Sequence, residues 1–252
     1  MASEIKTAIA THDVANIWLR GHHLTHDVMG HMSFAEVAFL LIAGRPPEAR
    51  EGRLVDAVLV ALMEHGLTPS AMVSRVTHVV APESLQGAVA AGLLGVGNVV
   101  LGSMEECGAI LTRIDEEVRS GAGRRASIDA VIDEYYARGA RLPGIGHAIH
   151  TDGDPRAPRL FELAAECGFH GSHLETIQEL AAAVAQRGRR LPVNVTGAVA
   201  AVLLELGVPW RLHRGFALIA RCAGLVAHLE EEDREPITPA LRAILRGEGQ
   251  SR

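Results

Sequence analysis

Aromatic residues are nearly missing from this chain of 252 residues, at 4%, although 48% of it is hydrophobic. Alanine, leucine and valine must therefore fill the interior, which favours closely packed helices. Cysteine is scarce too. Cys107, Cys167 and Cys222 are odd in number and widely spaced, which excludes a disulfide framework or a cysteine metal motif and points to a reducing cytoplasm. No basic block offsets the net charge of −6, so nucleic acid is not an expected partner. Glycine, proline or charge breaks each apolar run before membrane-spanning length, and no basic-then-apolar leader opens the sequence. The expectation is a soluble cytoplasmic protein, as one large domain or two small ones.

Helical spacing dominates what is present. Ser33 and Glu36 form a capping box for a helix that runs to Gly44, and Pro46-Pro47 open the next. Leu54, Val55, Val58, Leu59 and Leu62 then recur on one face up to Met63. Further helices are expected over Ser70–Val80, Ser84–Gly97, Glu105–Arg119, Arg156–Gly168, Ser172–Arg187, Asn194–Leu206 and Arg214–Glu231. Another is capped by Ser127 and ends near Gly139. Strand signal is confined to the N-terminus, where Ile5–Ala10 and Asn16–Leu19 read as a short hairpin around Thr11-His-Asp13. The fold class is mostly α.

One stretch carries chemistry: Arg141-Leu-Pro-Gly-Ile-Gly-His-Ala-Ile-His-Thr-Asp-Gly-Asp-Pro-Arg156. Two glycines turn the backbone tightly, His147 ends the turn, and Arg156 follows nine residues later. An imidazole can hold a carbonyl or hydroxyl oxygen and a guanidinium can grip a carboxylate, as a small keto or hydroxy acid requires. On spacing alone, a glycine loop with a surface histidine and a structural arginine fits as well. Arg221 interrupts an apolar helix, where a charge needs an ionic partner: a ligand carboxylate, or a core acid such as Glu205. His65, placed at a helix end, satisfies the helix dipole. Among His22, His23, His26 and His31, His22 and His26 could share a helical face and hold a metal, but Arg20-Gly21 reads as the start of a turn, and no metal is expected. Asp13, His228 and Glu230 read as residues of a solvated turn or helix face.

Pro143-Gly-Ile-Gly-His147 followed by Asp154-Pro-Arg156 resembles the catalytic loop of the citrate synthase family, and in particular its citryl-CoA lyase branch. The resemblance runs along most of the chain. It takes in Leu19-Arg-Gly21, Ser33–Leu41, Glu64-His-Gly66, Gly97–Glu105, Asn194-Val-Thr-Gly197, Ala220-Arg-Cys-Ala-Gly224 and His228-Leu-Glu-Glu231, in the family's order. It implies a large helical domain from residues 1–105 and 193–252, a smaller one from 106–192, and the site in the cleft between them. By the same resemblance His147 manages the proton on the substrate's keto or hydroxyl oxygen. His65, Arg156, Arg221 and Asn194 hold the carboxylated half, and CoA lies along Pro143, Gly144, Ile145 and Gly146. No cofactor beyond the CoA thioester substrate is implied, and a homodimer or larger assembly is.

Two departures bear on the reaction. Val100 stands where citrate synthases place their first histidine, a residue that citryl-CoA lyases also lack. Thr196 replaces the aspartate of the Asn-Val-Asp segment, and a neutral hydroxyl cannot act as general base near neutral pH. Thr196 can still bond an enolate or hold a water. The resemblance therefore points to a lyase-like enzyme cleaving or forming a C–C bond in a 3-hydroxy-3-carboxyacyl-CoA. The alternatives are a relative acting on a bulkier acyl-CoA and a catalytically silent CoA- or dicarboxylate-binding protein.

Overall fold

The computed structural model describes residues 6–146 and 153–247. His147, the residue on which the sequence reading leans most, lies outside this set, as does the side chain of Val100.

The N-terminal strand signal becomes a small antiparallel sheet of β1 (Ala10–His12), β2 (Ile17–Leu19) and β3 (His22–His23), in that order. Its first strand starts later than the apolar pattern suggests. Asp13 Oδ1 accepts the backbone N–H groups of Ala15 and Asn16, which fixes the turn there and sets the register Thr11 opposite Trp18. Arg20 and Gly21 both take positive φ to turn into β3, and the Arg20 guanidinium donates to Leu41 O.

Mostly helical architecture follows. Ser33 caps α1 (Phe34–Ala43), its hydroxyl accepting from Glu36 N–H while Ser33 N–H donates to the Glu36 carboxylate. Then α2 (Ala49–Met63) starts later than Pro46-Pro47 predict. Glu48 and Glu51 form a second capping box, and Arg45 grips Glu51 with both terminal nitrogens. α3 (Pro69–Val80) and α4 (Leu85–Leu94) form a tight hairpin. Gly92 explains the closeness: a Cβ there would lie 2.8 Å from a Leu225 methyl and 2.9 Å from Ser70 O.

α5 (Ser103–Arg119) and α6 (Arg124–Ala137) follow. Ser127 does not cap α6. It lies inside the helix, 4% exposed, because the chain already enters the helix at Gly123. After the loop come α7 (Arg156–Glu166), α8 (Ser172–Gln186), α9 (Val195–Glu205), α10 (His213–Arg234) and α11 (Thr238–Leu245). α11 carries too short a pattern to stand out in sequence. Buried Glu232 docks it by accepting the N–H groups of Ile237 and Thr238.

α9 is the centre of the core. Ala198, Val199, Ala200, Ala201 and Leu203 are fully buried, and the helix packs against α5, α7 and α8. α10 instead packs against α2, α3 and α4. Burial of each such valine or leucine contributes about 1.5–3 kcal/mol, so α9 is anchored on every side.

Candidate active site

The site grows from a close approach of two glycines. Gly144 takes φ +80°, and a Cβ on it would lie 2.6 Å from Cys107 Sγ and 2.8 Å from Gly197 Cα. A Cβ on Gly197 would in turn meet Gly144 O at 2.5 Å. The loop therefore sits directly on the first turn of α9, with the Cys107 thiol beneath. Burial pushes that thiol up to about 12, so it stays protonated and acts as packing.

Hydrogen bonds then fix the register. Gly146 N–H donates to Pro192 O at 2.8 Å, Asn194 N–H to Gly144 O at 3.0 Å, and Asn194 Nδ2–H to Gly146 O at 2.5 Å. Ile145 and Val193 pair as an isolated antiparallel bridge. Asn194 Oδ1 caps α9 by accepting Gly197 N–H at 3.1 Å, and it also accepts the Thr196 hydroxyl at 2.7 Å. Thr196 thus offers its oxygen lone pairs, while its proton is committed to Asn194.

Asp154 joins this unit to the arginines. Its carboxylate, 1% exposed, accepts Val195 N–H at 3.0 Å and holds Arg156 in a two-point grip, Nε and Nη2 each at 2.9 Å. Burial alone would raise this carboxyl. The Arg156 guanidinium and the two backbone N–H groups overcome that and hold it at about 2. Arg156 Nη1 also donates to Ala61 O on α2 at 3.2 Å. In sequence Asp154 is visible only as part of Asp154-Pro-Arg156; its partners in the fold give it a positioning role.

Arg221 reaches the same end of α2 from α10. It is 7% exposed; its Nη1 lies 3.4 Å from Glu64 Oε1, and its Nε has no hydrogen-bond partner among the described residues. Burial lowers its proton affinity, Glu64 opposes that, and the neighbouring positive charge of Arg156 adds to it. The core acid proposed as a partner, Glu205, is instead taken by His173 at 3.0 Å. Glu64 gave only one sequence signal, its place next to His65.

His65 does not end α2. The helix stops at Met63, Glu64 is extended, and Gly66 turns with φ +72°. His65 is half-buried there and donates its backbone N–H to Glu64 Oε1 at 2.7 Å. His228 is not on a solvated face, being 8% exposed, with Nδ1 3.3 Å from Arg75 Nη1. Asp13 and Glu230 are exposed, the latter pairing with Arg234. Among the N-terminal histidines, the His23 and His26 rings lie tilted against each other with centroids 4.4 Å apart, and no described group of three His, Cys, Asp or Glu is arranged to hold a metal.

A cavity of about 790 Å³ opens beside the loop, lined by Tyr136, Arg141, Leu142, Ile145, Gly146 and Arg189, among others. The Tyr136 hydroxyl is buried without a hydrogen-bond partner among the described residues. None of Arg156, Arg221, His65 or Thr196 lines this space, so it is a neighbour of the arginine corner and not part of it.

Residues 43–242 match the family model "Citrate synthase, C-terminal domain", and the chain belongs to the citrate synthase family. It is 31% identical over 195 residues to "Putative citrate synthase 2" of Mycobacterium tuberculosis, covering 75% of this chain and 49% of that protein. It is 27% identical to "Citrate/2-methylcitrate synthase" of Bacillus subtilis, covering 80% and 53%. The chain therefore spans about half the length of these relatives. Among solved structures it resembles citryl-CoA lyase from Hydrogenobacter thermophilus, with TM-score 0.81, 36% identity and coverage of 90% and 86% of the two chains. The ATP citrate lyase of Methanothrix soehngenii, solved with citrate and coenzyme A, gives TM-score 0.79 at 19% identity, with coverage of 93% and 39%, a likeness of fold.

Proposed function

We propose that this protein is a citryl-CoA lyase-like enzyme acting on a 3-hydroxy-3-carboxyacyl-CoA thioester. The observation that carries the reading is the single hydrogen-bonded unit built by Asp154. It couples the Gly144–Gly146 loop and the Asn194–Thr196 cap to Arg156, which meets Arg221 at the end of α2. The likeness to the Hydrogenobacter lyase supports it. His147 takes the 3-hydroxyl proton as the C–C bond breaks, leaving a keto acid and a thioester enolate. The enolate takes a proton from a water held by Thr196 and leaves as the acyl-CoA, and the hydroxide left behind recovers the proton that His147 took. Arg156, Arg221, His65 and Asn194 hold the carboxylated half. CoA lies along Pro143–Gly146, with Arg141 and Arg189 in the adjoining cavity to meet its phosphates.

The cleft falls between residues 1–105 with 193–252 and residues 106–192, with α9 packed across from the former onto α5, α7 and α8. The working form is a cytoplasmic homodimer or larger assembly. α9 offers no surface for it, but Val73, Val76 and Val80 on α3 and Leu85 and Leu94 on α4 are exposed. Light scattering at micromolar concentration checks this, a monomeric mass counting against it.

A second reading, a silent CoA- or dicarboxylate-binding protein, draws on Thr196, whose neutral hydroxyl is bonded to Asn194 where a carboxylate base would be needed. The deciding experiment is a mass-spectrometric screen of the purified protein against hydroxyacyl-CoA thioesters, followed by kinetics of His147→Ala on whichever one is cleaved. kcat should fall more than KM rises, since the bond to His147 tightens in the transition state. Turnover like the parent's would remove the centre of the enzyme reading. Oxaloacetate with acetyl-CoA should give no appreciable citrate, because loss of a general base costs about 10²–10⁴-fold in rate.

A further inference from the structure

Arg221, Gly224 and His228 occupy one face of α10 at helical spacing, and together they form a seat for a carboxylate. Arg221 supplies a guanidinium. His228 supplies an N–H, by the following reasoning. Arg75 Nη1 sits 3.3 Å from His228 Nδ1, and a guanidinium can only donate, so Nδ1 accepts and the network assigns the ring proton to Nε2. Nε2 points toward the seat. Gly224 forms the floor, where any Cβ would strike Met63 O and a Glu64 oxygen at 2.4 Å. The backbone N–H of His65 closes the fourth side.

Glu64 fills this seat. A single oxygen, Oε1, accepts His65 N–H at 2.7 Å and lies 3.4 Å from Arg221 Nη1 and 3.2 Å from His228 Nε2. The two side-chain contacts are loose: the His228 approach is out of line for a hydrogen bond, and Arg221 Nε has no partner among the described residues. Glu64 is also 38% exposed on its side chain, so it can swing into solvent without leaving a buried void. A loosely held, half-exposed carboxylate on a buried cation is a stand-in, not a structural lock. The other charges facing the corner are already matched, Arg156 by Asp154 and Arg75 by Glu231 and Glu232.

We infer that Glu64 is an internal competitor occupying the carboxylate seat of Arg221, Gly224 and His228, and that a ligand carboxylate must displace it to bind. The inference rests on the reading of Arg221 as a substrate-binding residue. It makes Glu64 a specificity residue. Its negative charge raises the threshold for weakly binding monocarboxylates, whereas a di- or tricarboxylate gains enough elsewhere in the site to displace it.

The test is isothermal titration calorimetry of the full chain with oxaloacetate and, separately, citrate. Glu64→Gln keeps the shape and removes the charge, and it should tighten oxaloacetate binding by about threefold to tenfold, the scale of a half-exposed ion pair. Glu64→Ala should act in the same direction, and circular dichroism checks that both variants fold. In an Arg221→Ala background the gain from Glu64→Gln should vanish. Unchanged or weaker binding by Glu64→Gln overturns the role of Glu64, while a loss of binding in Arg221→Ala leaves the site reading standing; no binding by parent and Glu64→Gln alike at millimolar ligand overturns both. If Arg221→Ala binds like the parent, the site reading itself fails, and the inference with it.

Discussion

Two regions meet at Asp154 and are built on opposite principles. On one side the Gly144 loop lies on α9 through backbone contacts, a neutral thiol and caps, with its hydrogen bonds made and no room for a methyl group. On the other, Arg221, Glu64 and His228 share a corner in which one cation has an Nε without a partner among the described residues and one carboxylate oxygen faces three donors. The first region fixes geometry. The second, on the proposed reading, keeps binding capacity in reserve. On that reading, a site that holds a reacting group still and yet accepts and releases a charged ligand needs both, and here the two tasks fall to neighbouring regions of different construction.

Breaking the neutral side should have the largest effect. Gly144→Ala adds a Cβ into Cys107 and Gly197 at a left-handed φ, combining backbone strain of about 1–2 kcal/mol with overpacking of about 1–3 kcal/mol. A fall of about 2–4 kcal/mol in urea-denaturation stability is expected. A near-neutral result would mean that the loop does not sit on α9.

Next comes the joint. Asp154→Asn should lose about 2–3 kcal/mol, since Arg156 is left with half its grip. This contribution also has a pH signature. A carboxyl held at about 2 instead of an ordinary 3.8 stabilises the fold above the unfolded value and ceases to do so as pH falls through the folded one. The parent should therefore lose about 2 kcal/mol more than Asp154→Asn between pH 5 and about 2, as read by denaturation at a series of pH values.

The charged corner should respond in the opposite sense. Because burial outweighs Glu64 at Arg221, that guanidinium adds little to folding, and Arg221→Met should change stability by less than about 1 kcal/mol. Ligand affinity should fall by about 2–4 kcal/mol all the same. A stability loss as large as that of Gly144→Ala would make Arg221 structural and erase the contrast between the two regions. Smallest of all is the surface pair of Arg53 with Glu166. Both side chains are about half exposed, and Glu166→Gln should leave the urea-denaturation midpoint nearly unchanged, any small effect being screened by salt.

Much of the fold was legible in local chemistry. Ser33 with Glu36 announces α1, Asn194 announces α9, and the spacing from Leu54 to Leu62 predicts the buried face of α2, because caps and periodicity depend on residues a turn apart. Ser127 misled for the same reason. A serine ahead of an apolar run has a cap's pattern, and only the packing of α6 shows that the helix began at Arg124.

The order of motifs along the chain was likewise sufficient to place it in the citrate synthase family, since a family's spacing is itself a linear property. What sequence alone determined is most of the helices, the cap of α1, the glycine loop and the arginines able to grip carboxylates. What only the tertiary structure decided is which of those groups meet. Gly144 finds Gly197, Asp154 finds both Val195 and Arg156, and Glu64, 157 residues from Arg221 along the chain, takes the place beside it. Such meetings depend on how α2, α7, α9 and α10 pack. Packing is set by the combined burial of many apolar side chains, and no local pattern records it.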